Sequence, residues 1–95
     1  MFYVYILLSK KNNKFYIGQT KNLERRMMYH NAGYSKATKS GLPWELKYFE
    51  EYNDRSDAVK RESQLKKMKS REYILKLISE ERPDVNRGGQ RFDPA

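Results

Sequence analysis

The sequence contains no cysteine, and that absence removes disulfide frameworks, zinc ribbons and cysteine nucleophiles together. A single histidine, His30, leaves no multi-histidine metal centre. No apolar run approaches the roughly 18 residues that a membrane-spanning helix needs. No basic leader or cleavage site precedes the strand-like sequence that begins at Phe2. The expectation is therefore a cytoplasmic protein, with no membrane association and no disulfide partner. Acid is scarce: 12 Asp and Glu stand against 20 Lys and Arg, a formal net charge of +8. Such an excess points to a polyanion, nucleic acid first and an acidic membrane surface or acidic protein second.

What is present fits one small domain. At 95 residues, the chain buries only roughly 60–65% of its unfolded surface. Hydrophobic residues make up 38% and aromatics 14%, enough for a compact core without a large internal cavity. Phe2-Tyr3-Val4-Tyr5-Ile6-Leu7-Leu8 is a continuous aromatic and β-branched run, which reads as a strand buried on both faces. Asn12-Asn13 suits a hairpin turn, and Phe15-Tyr16-Ile17-Gly18 reads as the returning strand, with Gly18 allowing a close approach to its backbone. Asn22 is placed to cap a helix from Leu23 to about His30, ended by Asn31-Ala32-Gly33. On that helix Leu23 and Met27 form the apolar stripe, Arg26 and His30 lie at its edge, and Arg25 falls on the far side. A polar loop carrying Lys36, Thr38 and Lys39 leads to a third strand, Trp44 to Phe49. Ser56 is the expected cap of a second helix whose inward face is Ala58, Leu65 and Met68. Ser70 starts a third helix, Arg71 to about Arg82, stopped by Pro83. The expected order is β-β-α-β-α-α: a small α/β domain around a three-stranded, partly antiparallel sheet. A domain over residues 1–86 and a polar tail over 87–95 complete the organisation.

Two groups of residues bear on chemistry. Lys60, Arg61, Lys66, Lys67, Lys69 and Arg71 form a basic stretch. It is either a solvated helix face or a phosphate-tracking surface, and the net charge favours the second. Glu62 is the only carboxylate between Asp57 and Glu72, and its helical angle places it beside Ala58 and Leu65. It is either a structural ion-pair partner or a ligand for a hard cation, since Mg²⁺ commonly sits on one or two carboxylates plus substrate phosphates. The second group is Tyr3, Tyr5 and Tyr16. Strand tyrosines are ordinarily packing residues, so these three alone carry no functional reading.

Their spacing to later residues changes that. Tyr3-Val4-Tyr5, ten residues, then Tyr16-Ile17-Gly18 resembles the paired motif of the GIY-YIG nucleases. The second half matches fully; in the first, Tyr3 and Val4 stand where the family name has Gly and Ile. Arg26 lies eight residues after Gly18, where the family carries a helical Arg, and His30 four further on, where members carry His or Tyr. Glu62 matches the family's metal-binding Glu, and Pro83-Asp84-Val85-Asn86 resembles a Pro-x-x-Asn segment of its repair nucleases. The chain looks most like the small stand-alone bacterial members.

The resemblance implies a small domain with a central three-stranded antiparallel sheet flanked by helices. It also implies metal-dependent hydrolysis of DNA; the motif does not imply a cellular role, and repair or recombination is the expectation set beside it. Glu62 would hold Mg²⁺ or Mn²⁺, and Arg26 would stabilise transition-state charge. Tyr5 would act as general base with Tyr16 orienting water or phosphate, the two roles being exchangeable. His30 would either assist proton transfer or make a helix-edge hydrogen bond. Lys36, Lys39, the basic stretch and Asn86 would contact nucleic acid. Two rivals remain: a nucleic-acid-binding module that cuts nothing, and a protein-interaction adaptor using Trp44, Tyr48 and Tyr52 on an exposed sheet face. The sequence leaves the oligomeric state open.

Overall fold

The computed structural model describes residues 1–80. Strands β1 (Phe2–Ser9), β2 (Phe15–Thr20) and β3 (Trp44–Tyr52) form one antiparallel sheet in the order β2-β1-β3. Helices α1 (Leu23–Asn31), α2 (Arg55–Met68) and α3 (Arg71–Glu80) complete a β-β-α-β-α-α domain. The expected helix end near Arg82, the Pro83–Asn86 segment and the tail over 87–95 lie outside the described residues.

β1 is the central strand, which is why its sequence is continuously apolar rather than alternating. On one face Val4 and Ile6 join Ile17, Tyr48, Ala58, Leu65, Ile74 and Leu77, under α2 and α3. On the other, Tyr5 and Leu7 pack with Trp44, Leu23, Met27 and Leu42, on the side of α1. The β1–β2 hairpin closes through Asn13, whose φ of 61° is in the left-handed region that Asn tolerates. The Ser9 hydroxyl accepts the Lys11 and Asn12 N–H groups, and the Asn12 side chain accepts that of Lys14. Asn22 caps α1 as expected, its side chain accepting the Arg25 N–H at 3.0 Å, and Gly33 with φ 82° follows the helix.

Four expectations are corrected. The residue at the N-cap of α2 is Asp54, not Ser56. Met68 is 41% exposed, because α2 ends there with Lys69 in a left-handed conformation. Trp44 and Tyr48 share a parity but lie on opposite faces, since β1 and β3 change register between Ile6 and Leu7. Ile6 pairs with Tyr48 and Leu7 with Leu46, so Lys47 is the extra residue of a bulge. Both aromatics are buried, and the exposed aromatic face of the adaptor reading is absent.

The fourth correction concerns Arg61. It is turned inward, away from any phosphate-tracking surface, onto a fully buried Glu50. Its Nε and Nη2 donate to the two carboxylate oxygens at 3.0 and 3.1 Å, and the Tyr48 and Tyr52 hydroxyls donate to the same carboxylate. The Tyr52 hydroxyl is held well above its ordinary pKa, first by burial and then by Glu50. The carboxylate thus has four donors, the condition under which a buried charge is tolerated.

Candidate active site

Tyr5 and Gly18 face each other across β1 and β2, and Leu7 faces Tyr16. The pleat brings Tyr5, Tyr16 and Gly18 to one side of the sheet. Gly18 is required by the Tyr5 ring: a Cβ there would lie 2.5 Å from the Tyr5 hydroxyl oxygen and 2.7 Å from Cζ. The tyrosine therefore lies across its neighbouring strand and reaches α1. The Tyr5 hydroxyl and His30 Nε2 are 2.9 Å apart, and the Tyr16 ring meets the imidazole edge-on at 5.1 Å.

His30 is buried, 1% exposed, not a residue of the helix edge. Its Nδ1 is 2.9 Å from the hydroxyl of Thr38, itself fully buried in the loop before β3. The Thr38 carbonyl accepts the Trp44 indole N–H at 2.7 Å, and the Asn31 side chain bonds both the N–H and C=O of Trp44. A chain of contacts thus runs from Tyr5 through His30 to Thr38, braced by Trp44 and Asn31. Thr38, Trp44 and Asn31 brace this contact, a structural part that sequence reasoning did not assign them. Thr38 sits in a loop with no periodicity, and no local signal marks it.

The electrostatics are of mixed sign. The Tyr5 hydroxyl is pushed far above its ordinary pKa, foremost by burial and next by Tyr16; Glu62 also raises it, whereas Arg26 lowers it. Arg26 and Glu62, on different helices, therefore both act on this hydroxyl. His30 is held below the ordinary imidazole range, first by burial and then by the Arg26 charge. It is neutral near pH 7, so one ring nitrogen donates and the other accepts. With Nδ1–H donating to Thr38, Nε2 is free to accept the Tyr5 proton; the other tautomer reverses the direction.

Glu62 makes a 2.9 Å ion pair with Lys66, one turn on, whose side chain is 52% exposed. Such a surface pair is weak and exchangeable. Among the described residues no three His, Cys, Asp or Glu side chains cluster as a metal cage. A hard cation here would take the one carboxylate and complete its shell with water and phosphate oxygens, which is ordinary for Mg²⁺. The donor set fits that group.

The remaining bases separate by face. Lys66 and Lys69 line an open groove with Phe15 and Tyr16, continuous with the tyrosine strand. Lys60 and Lys67 lie on another groove of α2. Arg71 stacks on the Phe15 ring at 4.7 Å and donates to the Asn13 carbonyl. Lys36 and Lys39 are exposed on either side of buried Thr38. Asn86 lies outside the described residues. Arg25 is exposed and Arg26 half-buried, in line with their places on the helix, and both line one pocket at the start of α1.

Compared with known proteins, residues 1–74 match the GIY-YIG catalytic domain. A UPF0213 protein of Staphylococcus haemolyticus is 43% identical over 79 residues, covering 82% of this chain and 94% of its own length. A UPF0213 protein of Clostridium perfringens is 42% identical over 80 residues, covering 83% and 84%. The solution NMR structure of a UPF0213 protein from Bacillus halodurans superposes with a TM-score of 0.52 at 31% identity, covering 83% of this chain and 84% of that one. Among the described residues no helix is long and apolar enough to cross a membrane.

Proposed function

The chain belongs to the GIY-YIG catalytic-domain family, and from that premise we propose that it is a divalent-metal-dependent endonuclease that hydrolyses DNA phosphodiester bonds. The observation that carries the reading is the 2.9 Å contact between the Tyr5 hydroxyl and His30 Nε2, within the fields of Arg26 and Glu62. Phosphodiester hydrolysis needs an activated water and neutralised charge at phosphorus. Tyr5 takes a proton from the attacking water as its own proton passes to His30 Nε2. Burial makes a lone phenolate costly, so the transfer to His30 has to accompany the attack. As the water oxygen bonds to phosphorus, the P–O bond to the sugar breaks and the leaving oxygen takes a proton from solvent; the imidazolium, disfavoured by burial and by Arg26, releases its proton through Tyr5 to solvent. Thr38 fixes the imidazole ring through Nδ1, and Tyr16 orients water or phosphate beside it. Arg26 stabilises the extra charge on the phosphate as attack proceeds. Glu62 would hold Mg²⁺ or Mn²⁺, which would supply positive charge at the phosphate and lower the pKa of hydroxyl groups near it. Lys66 and Lys69, beside Tyr16, track the DNA backbone.

The test is a panel of labelled DNAs (single-stranded, duplex, nicked and branched) incubated with the full chain in Mg²⁺ or Mn²⁺. Wild type cleaves at least one of them, and Tyr5→Phe, with the ring kept and the proton path removed, is slower by about 10²-fold or more. Failure of wild type on every substrate would replace this reading with the binding module.

A further inference from the structure

A second pocket opens where the start of β1, the end of β2 and the first turns of α1 and α2 meet, with a volume of about 620 Å³. Lys21, Arg25, Arg26 and Arg55 all line it, and no carboxylate does. None of these four forms an ion pair with an acid among the described residues. Four cations around one cavity repel each other, a cost that an anion in the cavity would reverse. One wall is aromatic: the Tyr29 ring lies 5.3 Å from the Arg26 guanidinium carbon, is 41% exposed, and neighbours Tyr34 at 5.7 Å. Arg26 also acts on the Tyr5 hydroxyl, so the pocket and the catalytic centre share a side chain. The volume falls within the range of roughly 300–1,000 Å³ that small-molecule sites occupy.

We infer that this pocket is a nucleotide subsite, in which Arg25 and Arg55 hold a phosphate and Tyr29 receives the base of the nucleotide next to the scissile phosphate. The inference rests on the nuclease reading for its place along the strand, but its chemistry comes from the pocket itself. An acidic peptide would satisfy the cations and leave the aromatic wall unused. A base stacked on an aromatic side chain adds affinity and tolerates any sequence, since every base has a π-face. The site therefore positions a strand without reading it.

The experiment is a ¹⁵N chemical-shift titration of the full chain with thymidine 5′-phosphate and with a thymidylate tetramer. Both ligands shift Gln19, Lys21, Arg25 and Tyr29, and the tetramer also shifts Tyr5 and Tyr16. The double variant Arg25→Ala, Arg55→Ala binds the tetramer about tenfold more weakly or worse, with a salt slope smaller by about 0.7 for each phosphate no longer neutralised. The charge-matched variant Lys10→Ala, Lys76→Ala, at exposed sites elsewhere, loses at most about threefold, general charge being all that it removes. In cleavage, the double variant raises KM by a larger factor than it lowers kcat. Equal weakening by both variants, shifts confined to Lys60 and Lys67, or binding of the mononucleotide without the tetramer would each overturn the subsite. The shift map of the wild type decides this without any variant and without cleavage. An inactive chain that still gives the mapped shifts defeats the nuclease reading alone, whereas an active chain with no shifts here defeats the subsite alone.

Discussion

Replacing Gly18 by alanine tests whether the Tyr5 ring is held in place as the site requires. The backbone at Gly18 is ordinary extended strand, without the positive φ of Gly33, so alanine brings no backbone strain. It brings a Cβ 2.5 Å from the Tyr5 hydroxyl oxygen, 2.7 Å from Cζ and 3.2 Å from a Tyr16 ring carbon. The Tyr5 ring cannot simply swing aside, being 2% exposed and tied to His30. Overpacking of this kind costs about 1–3 kcal/mol, and loss of the hydrogen bond to His30 adds about 0.5–1.5 kcal/mol. The lower chain entropy of unfolded alanine returns about 0.4–1 kcal/mol. The net is a destabilisation of about 2.5 kcal/mol, or a Tm lower by about 10–20 °C for a domain of this size. Thermal and urea unfolding measure it. In a Tyr5→Leu background, which lacks the ring end that Cβ would meet, the same substitution costs less than about 1 kcal/mol. Equal costs in the two backgrounds would refute the claim that Gly18 exists to admit the Tyr5 ring.

Three further perturbations separate structure from chemistry. Glu50→Ala leaves Arg61 and two tyrosine hydroxyls without their buried acceptor and destabilises by about 3 kcal/mol; a loss within about 0.5 kcal/mol in urea unfolding would contradict the buried network. His30 is depressed in the folded state by burial and Arg26, so the unfolded chain binds its proton first. Stability from this group is full above the ordinary pKa of about 6.5 and falls as pH drops through it; an NMR titration of the imidazole showing a raised pKa would reverse the sign. Arg26→Lys keeps the charge but loses the planar fork, lowering kcat by about tenfold or more while leaving the fold intact; full activity would reduce Arg26 to general charge.

Much of the fold is legible in the sequence because β1 is central and buried on both sides, which writes an unbroken apolar run into it. Asn22 and the Asn12-Asn13 turn are readable because their effects are local. The bulge at Lys47 is not, since alternation over Trp44 to Phe49 is satisfied without it and only the pairing with β1 reveals it. Arg61 is hidden for a similar reason. A charge count along α2 treats all bases alike, whereas the carboxylate that claims this one is eleven residues away on β3. Spacing to the tyrosine motif draws attention to Tyr5, Tyr16, Arg26, His30 and Glu62. The structure joins Tyr5 to His30 directly, sets Tyr16 against the imidazole, and places Arg26 and Glu62 within electrostatic reach of Tyr5. The supports behind them, Thr38, Trp44 and Asn31, come from a loop, a strand and a helix end, so only the folded chain assembles them.

The most direct test of the proposed metal-dependent nuclease activity is Glu62→Gln, which keeps the shape of the side chain and removes the charge that would hold a hard cation. Cleavage of the best DNA substrate in Mg²⁺ or Mn²⁺ is compared with wild type, alongside thermal unfolding and metal-free DNA binding. Cleavage is expected to fall by about 10²-fold or more, since the cation's charge stabilisation goes with the carboxylate. Unfolding changes little, because the ion pair removed is a half-exposed one, with Lys66 in solvent, and metal-free binding stays equal or tightens as a negative charge leaves the phosphate path. Unchanged cleavage by a fully folded Glu62→Gln protein would contradict the metal-dependent mechanism.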